Sequence, residues 1–492
     1  MALDFHIISL ILLVPALGAV VTYLLPLKNK GTKIVATAIS LIPLILSLIL
    51  LLGVISPYVD IGRTGDFYAL ENADWIPQID VHYTVGVDAL SAVLVFLATL
   101  LITLGIIFSW NETHRHREFN ALLLFMEVTI VGVFVSLDNF LFFLFWEAGL
   151  IPMYFLIAVW GGPNKRYAAI KFFLYTQAAS LLVLAGILAF YFYGGTFSMI
   201  TLIETNPLAA AAQNLMFVAL LFGFGTKLPM VPVHTWLPDA HVEAPTAGSV
   251  LLAGVLLKMG GYGLIRFNVQ MLPDVADWAF ILVGVIGVFS MVYGAFVCLA
   301  QDDLKRMIAF SSISHMGIVM LGISAWGIGG SEWALAGAIF QMFAHGLISA
   351  ALFMIAGSVG HNVGTRNISE LGGIAPKVPN TAGFMMVAFL ASLGLPGLVG
   401  FVAEFTVFIG TWEVFGWWIF IPIVSVVVTA GYYLFAMQRA IFGPFNKKIE
   451  KLHDIKWFEA APLSVLSTLF AVFGILPFIF MNSIYSWVVA LG

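Results

Sequence analysis

The sequence predicts an all-α protein that crosses a membrane many times. Of its 492 residues, 61% are hydrophobic and only 10% are charged, whereas soluble domains carry about 25% charged residues. Apolar runs of roughly 20 residues recur from end to end, and each is long enough to cross a bilayer core of ~30 Å. A β-barrel is excluded, because its strands would alternate apolar and polar residues.

The apolar runs indicate about fourteen transmembrane helices. The first run is preceded by no basic residue, so it is expected to stay in the membrane and not to be a cleaved signal peptide. The longest connection, 57–87, is acidic and is interpreted as a loop. The predicted spans are 5–26, 34–56, 88–110, 118–136, 139–160, 168–193, 213–237, 244–267, 277–299, 307–327, 333–359, 380–411, 416–440 and 459–490.

Basic residues predict the orientation of the chain. Seventeen of the 21 lysines and arginines fall in loops after odd-numbered spans, and two, Arg63 and Arg266, fall in loops after even-numbered spans. The other two, Lys227 and Lys258, fall within spans. Basic loops face the cytoplasm, so both termini are expected outside it. The basic loop 446–456 is interpreted as a solvated anchor on the cytoplasmic side.

Three pairs of landmarks indicate an internal repeat. The pairs are Trp160 with Trp326, Pro229 with Pro396 and Tyr262 with Tyr432, separated by 166, 167 and 170 residues. Each offset covers five spans, an odd number, so the second copy is inverted relative to the first, as in transporters whose broken helices meet near the membrane midplane. Spans seven and twelve, which carry Pro229 and Pro396, are the predicted broken helices, because proline removes a helix hydrogen bond.

Six titratable residues are predicted to lie at membrane depth. A charge at the centre of a membrane helix costs ~2.5–3.5 kcal/mol, so pairing, internal water or loss of the charge must compensate it. A desolvated lysine can release a proton, a buried glutamate can hold one, and histidine relays protons through either ring nitrogen. Such groups joined by water predict a proton pathway. The six are Glu147, Lys227, Lys258, His315, His345 and Glu404.

Structural interpretations of the same residues remain open at this point. Taken alone, each charge could belong to a structural ion pair, and His345 could be a packing residue. The occurrence of charges beside both predicted helix breaks favours proton transfer. The aromatic residues that precede Glu147 are interpreted as packing residues. They are Phe142, Phe143, Phe145 and Trp146.

The sequence predicts no cofactor and no metal site in this chain. It contains one cysteine, Cys298, and one thiol cannot hold an iron–sulfur cluster or a cysteine-based zinc site. It also contains no Walker loop and no G-x-G-x-x-G after a predicted strand. No nucleic acid partner is expected.

Several motifs closely resemble the M-type, antiporter-like, proton-pumping membrane subunit of respiratory complex I, a family that includes subunit 4 and the archaeal and photosynthetic complex I-like versions. The motifs are FFLFWEAGLIPMYFLIAVWG, KFFLYTQAASLL, KLPMVPVHTWLPDAHVEAPTAGSVLLAGVLLKMGGYGLIRF, QDDLKRMIAFSSISHMG, QMFAHGLISAALF and LGLPGLVGFVAEF. The resemblance implies fourteen helices with two inverted five-helix repeats. It also implies a division into 1–117, a three-helix segment; 118–268, the input half-channel; 277–440, the output half-channel; and 441–492, a C-terminal helix.

The resemblance also implies roles for the titratable residues. Glu147 and Lys227 would be the charge-paired first half of a proton path, and Lys258 its central relay. His315 and His345 would continue the path, and Glu404 would be its terminal carboxylate. Paralogous L- and N-type subunits, and Mrp antiporter subunits, usually carry lysine at the last position, so Glu404 favours the M type.

The implied function is proton translocation within an NADH-quinone-type oxidoreductase. Flavin, iron–sulfur clusters and a quinone-like carrier would belong to other subunits, and the electron donor could be NADH, a reduced deazaflavin or ferredoxin. The implied partners are L- and N-type paralogues, small membrane subunits and lipids of a prokaryotic cell (inner) membrane. The alternatives are a subunit of a Mrp-type Na⁺/H⁺ antiporter and a structural spacer subunit.

Overall fold

The structure is a computed structural model that describes residues 6–56, 58–446, 449 and 452–492. Helices dominate these ranges. The α-helices are α1 Ile7–Leu24, α2 Asn29–Ile55, α3 Ala89–Phe108, α4 His116–Val135, α5 Asn139–Ala148, α6 Leu150–Trp160, α7 Lys165–Gly194, α8 Met199–Thr205, α9 Ala210–Lys227, α10 Trp236–Glu243, α11 Thr246–Leu251, α12 Leu257–Gly263, α13 Asp277–Leu299, α14 Leu304–Gly329, α15 Glu332–Asn362, α16 Pro379–Ser392, α17 Val399–Phe415, α18 Phe420–Ala440, α19 Trp457–Ile475 and α20 Phe478–Val489. Leu252–Leu256 and Leu264–Val269 are π-helical, and short 3₁₀ turns occupy Pro77–Ile79, Ser109–Asn111 and Gly416–Ile419.

The predicted fold class, a polytopic all-α membrane protein, is confirmed. Within the described ranges, 12 helices are long and apolar enough to cross a membrane. The number of fourteen and the inverted repeats stay predictions. The difference in number has two sources. Predicted span seven is broken and absent from the 12, and α17 and α18, which are joined by the short 3₁₀ turn Gly416–Ile419, count as one stretch, Val399–Ala440.

Two helix breaks contain the LP pairs of the sequence. Helix α9 ends at Lys227 and α10 begins at Trp236, so Pro229 lies in the segment between them. Helix α16 ends at Ser392 and α17 begins at Val399, with Pro396 between them. Each break exposes helix-end carbonyl and amide groups at membrane depth, where they need polar partners.

Two other predicted spans depart from a regular helix. Predicted span five keeps helical backbone angles at Gly149, where α5 passes into α6, and Asn139–Trp160 remains one span. Predicted span fourteen divides between α19 and α20, because Pro477 lacks the amide hydrogen that would continue the helix.

The connection 57–87, predicted to be a loop, forms a small antiparallel sheet with strand order β1-β2-β3. Its strands are β1 Arg63–Thr64, β2 Phe67–Ile76 and β3 Val81–Val87. Strand β3 consists mainly of β-branched and aromatic residues, which favour extended backbone. The strand leads directly into Asp88, whose side chain caps the first turn of α3.

The innermost helices carry the central titratable residues. The continuous helix Thr246–Val269, α14 and α15 are each buried over the whole of their most apolar stretch, while α1 is buried over 44% of it. Lys258, His315 and His345 lie on these three inner helices. The fold therefore removes these three residues from both water and lipid.

Three basic residues that the sequence assigned to loops are buried instead. Arg266 lies in the second π-helical segment and is 0% exposed, and Lys33 and Lys305 are 2% and 4% exposed. Their long side chains reach polar groups inside the protein. In the basic loop 446–456, Lys456 is exposed, whereas Lys447, Lys448 and Lys451 lie outside the described residues. The orientation of the chain stays a prediction.

Candidate proton-transfer site

Lys258 and His345 are in direct contact at the centre of the protein. The Lys258 Nζ atom lies 2.7 Å from His345 Nδ1 and donates a hydrogen bond of 2.5 Å to the carbonyl of Ala253. Ala253 lies in the π-helical segment Leu252–Leu256, where the regular helical hydrogen-bond pattern is altered. The lysine amine is thereby held against the imidazole by its own helix.

His315 and Glu404 extend this contact toward α17. The imidazole rings of His345 and His315 are 5.4 Å apart between centroids, and His315 Nε2 lies 3.4 Å from Glu404 Oε1. His345 therefore adjoins Lys258, and His315 adjoins Glu404. The four residues form one continuous row of proton-carrying groups.

The second helix break lies beside the end of this row. Gly394, in the segment between α16 and α17, has a φ of +80°, which L residues rarely adopt. A Cβ at this position would lie 3.4 Å from Glu404 Oε2. The glycine therefore lets the broken segment pass close to the Glu404 carboxylate.

A hydroxyl network that the sequence did not predict joins the same break to α14. Ser392 Oγ, at the end of α16, donates a hydrogen bond of 2.8 Å to Tyr433 Oη, which donates one of 3.1 Å to Ser311 Oγ. Ser311 lies one turn before His315 on α14. Hydroxyl groups both donate and accept, so this network provides a polar branch next to the row.

Lys227 lies at the first helix break, apart from the row. Its Nζ atom is 3.6 Å from the ring centroid of Trp146 and has no hydrogen-bond partner among the described residues. Trp146 is fixed by a hydrogen bond of 3.0 Å from its Nε1 to Ser180 Oγ. The ring packs against Phe142 and Phe224 and also faces the lysine amine, a contact that the sequence did not predict.

Glu147 and Lys227, which are predicted to be charge-paired, interact electrostatically without a direct hydrogen bond. Lys227 Nζ and Glu147 Oε1 are both buried without a hydrogen-bond partner among the described residues. Glu147 is half-buried at the end of α5, next to the interruption at Gly149. The Trp146 ring occupies the position over the amine. No hydrogen bond connects Lys227 to Lys258 either.

Sequence reasoning missed three further sets of buried titratable groups. Glu127 on α4 and His241 on α10 are each 0% exposed, and none of their side-chain polar atoms has a hydrogen-bond partner among the described residues. Asp88 and Arg266 form a buried ion pair of 2.7 Å. A single acid in the apolar run LLLFMEVTIVG could have indicated Glu127.

The described side chains include no candidate metal site. Among the described residues, no group of three or more His, Cys, Asp or Glu side chains lies close enough to hold a metal ion. The site consists of titratable groups, and Lys258, His345 and His315 lie on the inner helices.

The comparisons with known proteins point to one family. The sequence model of the family described as NADH:quinone oxidoreductase/Mrp antiporter, transmembrane, matches residues 136–430. F(420)H(2) dehydrogenase subunit M of Methanosarcina mazei is 42% identical over 480 residues, which cover 95% of this chain and 94% of that protein. NADH-quinone oxidoreductase subunit M of Rhodobacter capsulatus is 38% identical over 490 residues, which cover 96% and 93%.

Two solved structures share the fold. A chain of respiratory complex I from Thermus thermophilus with bound NADH matches with a TM-score of 0.88 and 28% identity, and the match covers 98% of each chain. A chain of the Mrp complex from Dietzia sp. matches with a TM-score of 0.84 and 24% identity over 52% of its own length. The second match shows the fold alone.

Proposed function

This chain belongs to the NADH:quinone oxidoreductase/Mrp antiporter transmembrane family, and we propose that it moves protons across the membrane as the M-type subunit of a complex I-like oxidoreductase. Relatives named subunit M align over more than nine-tenths of both chains. They favour the M-type assignment over a Mrp antiporter subunit. The observation that carries proton translocation is the continuous row Lys258–His345–His315–Glu404.

The row provides a path for a proton from the centre of the protein toward α17. A protonated Lys258 gives a proton to His345 Nδ1 across 2.7 Å, breaking one N–H bond and forming another. His345 passes a proton from its other ring nitrogen to His315, which passes one to Glu404 across 3.4 Å. The broken segment beside Glu404 supplies the polar backbone that admits water.

Glu147 and Lys227 act as the coupling pair in this proposal. Glu147 is half-buried, so a neighbouring subunit can reach it and alter its distance from Lys227. Moving one proton against ~150 mV requires about 3.5 kcal/mol, and breaking a buried ion pair changes the free energy by about 3–5 kcal/mol. The free-energy change on forming and separating the pair is therefore large enough to drive the proton of Lys227 toward Lys258.

Electron transfer takes place in other subunits in this account. Flavin, iron–sulfur clusters and the quinone-like carrier belong to those partners, and L- and N-type paralogues lie beside this chain in a prokaryotic membrane. Residues 118–268 form the input half and 277–440 the output half, with both termini outside the cytoplasm. Protons then leave past Glu404 on the outer side.

The substitution Lys227→Ala tests the proposal. It removes the titratable amine of the coupling pair and is expected to abolish redox-driven proton pumping in assembled complexes. Lys171→Ala is a matched control, because Lys171 forms an ion pair of 2.6 Å with Asp239 away from the row. Pumping at the wild-type level by Lys227→Ala, in complexes that assemble normally, would make Lys227 a structural residue and refute its role.

A further inference from the structure

A polar cavity of about 390 Å³ lies at the predicted cytoplasmic ends of α13 and α18. Asp302, which follows α13, and Arg439, in the last turn of α18, both line it. Tyr432 lines it as well, about two turns deeper along α18. No residue of the proton row borders this cavity, so its polar groups are not explained by proton transfer.

The wall of the cavity carries one positive and one negative group that are not paired with each other. The Cζ atom of Arg439 lies 4.2 Å from the centroid of the Phe435 ring, and the guanidinium forms no hydrogen bond or ion pair with another described residue. The Asp302 carboxylate accepts hydrogen bonds of 2.8 and 2.6 Å from the amide and hydroxyl of Ser369. It pairs with no lysine or arginine in the described ranges. The C-terminal end of α13 adds negative potential beside it.

The deeper wall of the cavity contains a buried hydroxyl group without a partner. Tyr432 is 1% exposed, and its Oη atom has no hydrogen-bond partner among the described residues. Buried polar groups in folded proteins nearly always have one. A ligand with oxygen atoms below an anionic group would satisfy both Tyr432 and Arg439.

An apolar groove of about 630 Å³ lies along the same two helices, which pack against each other. On α13, Val285 and Val292 line the groove and Leu299 lines the cavity, at intervals of seven residues, which keep to one helix face. On α18, Ile421 lines the groove and Arg439 the cavity, and the interval between them is about five full turns. The cavity and the groove therefore share one face of the helix pair.

The position of this face fits a membrane lipid. Phe296, Leu299 and Phe435, near the cavity, are exposed, as expected for side chains that face the bilayer. The cavity, at the ends of the spans, lies at the level of the lipid headgroups. Val292 lies about 10 Å deeper than Leu299, within the ~15 Å that one leaflet contributes to the ~30 Å hydrocarbon core. A lipid chain that begins at the cavity therefore reaches the groove.

The two charges define the headgroup. The planar guanidinium of Arg439 matches a phosphate group, to which it can donate two parallel hydrogen bonds. A primary ammonium group donates up to three hydrogen bonds and suits the Asp302 carboxylate beside the end of α13. A headgroup with a phosphate alone would leave the negative charge of Asp302 uncompensated.

We propose that this cavity and groove bind one phospholipid of the predicted cytoplasmic leaflet, whose headgroup carries a phosphate and a primary ammonium, as phosphatidylethanolamine does. Arg439 holds the phosphate, Asp302 accepts hydrogen bonds from the ammonium, and Tyr432 donates one to an oxygen of the glycerol linkage. One chain lies in the groove between α13 and α18. This site is independent of the proposed proton path.

The test uses the intact complex in phosphatidylcholine liposomes that contain a small fraction of phosphatidylethanolamine with a photoreactive diazirine in one chain. After irradiation, mass spectrometry of the digested complex is expected to find lipid adducts on α13 and α18. Arg439→Gln is expected to lower their yield about tenfold, a loss of ~1.4 kcal/mol in binding, and Tyr432→Phe several-fold. Arg166→Gln is the matched control, because Arg166 is exposed at the start of α7, away from the site, and its yield should equal that of the wild type.

Two further probes with the same diazirine chain test recognition of the headgroup. Phosphatidylglycerol lacks the ammonium, and the choline group of phosphatidylcholine has no N–H donor. Both probes should therefore label α13 and α18 less than phosphatidylethanolamine does. Asp302→Asn should remove that preference, because asparagine keeps the acceptor for Ser369 but not the charge.

Three results would overturn the site. Wild-type complexes without adducts on α13 and α18 would show that no lipid occupies the groove, as when another subunit covers it. An unchanged adduct yield in Arg439→Gln, or equal labelling by all three probes, would show that the cavity does not recognise a headgroup. All variants are compared in complexes of wild-type subunit composition, which excludes a folding defect as the cause of lost labelling. Since labelling is measured without proton pumping, failure of this site and failure of the proposed function are distinguishable.

Discussion

Replacing Arg266 with methionine should destabilise the protein by about 3–5 kcal/mol, the cost of breaking a buried ion pair by removing one partner. Arg266 Nη2 lies 2.7 Å from Asp88 Oδ2, and each side chain is 1% exposed. Its Nε donates to Tyr262 Oη and its Nη1 to Gln270 Oε1. Methionine keeps most of the apolar stem but leaves the Asp88 carboxylate buried without a counter-charge. The folding equilibrium should fall about 100- to 4,000-fold.

The double variant Asp88→Asn/Arg266→Met separates the buried charge from the lost contacts. Asparagine can still accept the hydrogen bond of 2.9 Å from the Ser91 amide that caps α3, and it carries no charge. The double variant should therefore recover most of the lost stability. Denaturant unfolding of the solubilised complex, followed through this chain, measures the difference. A double variant as unstable as Arg266→Met would refute the reasoning and assign the loss to the contacts with Tyr262 and Gln270.

Two other predictions concern the coupling pair and the outer sheet. Trp146→Ala removes a ring 3.6 Å from Lys227 Nζ, a contact worth about 2 kcal/mol when desolvated, and should impair redox-driven pumping more than Trp146→Phe does; equal pumping by the two variants at equal assembly would contradict the contact's role. The hydrogen bonds to Asp80, and after it to Asp74, raise the pKa of His82 above its ordinary value. Their contribution to stability is complete below pH ~6.5 and is lost as pH rises through the raised pKa. Amide exchange in β2 and β3 should therefore accelerate over that range, and His82→Asn should remove the dependence; the same dependence in that variant would exclude His82 as its source.

The helix breaks could be predicted from the sequence, whereas the spatial order of the two histidines could not. Pro229 and Pro396 mark the breaks because the loss of an amide donor is a local property of the chain. The order of His315 and His345 depends on the packing of α14 against α15. That packing determines which of the two histidines contacts Lys258. No local pattern contains that information.

The burial of three basic residues also could not be predicted from the sequence pattern. Lys33, Lys305 and Arg266 lie near the ends of apolar runs, where counting basic residues assigns them to loops. Each has a polar partner from a distant part of the chain: the Trp110 carbonyl for Lys33, the Ala244 carbonyl for Lys305 and Asp88 for Arg266. The strand VHYTVGV at 81–87, by contrast, does carry a local signal, because β-branched and aromatic residues predominate in it. The acidic residues of the connection 57–87 favoured its interpretation as a loop instead.

The measurement that tests the central claim most directly is proton translocation by the intact complex carrying Lys258→Met. The substitution keeps the length and apolar stem of the side chain but removes the amine that contacts His345 at 2.7 Å. The complex should still assemble, yet oxidation of its electron donor should no longer acidify the receiving side. An unchanged number of protons translocated per electron pair would contradict a path through Lys258, His345, His315 and Glu404.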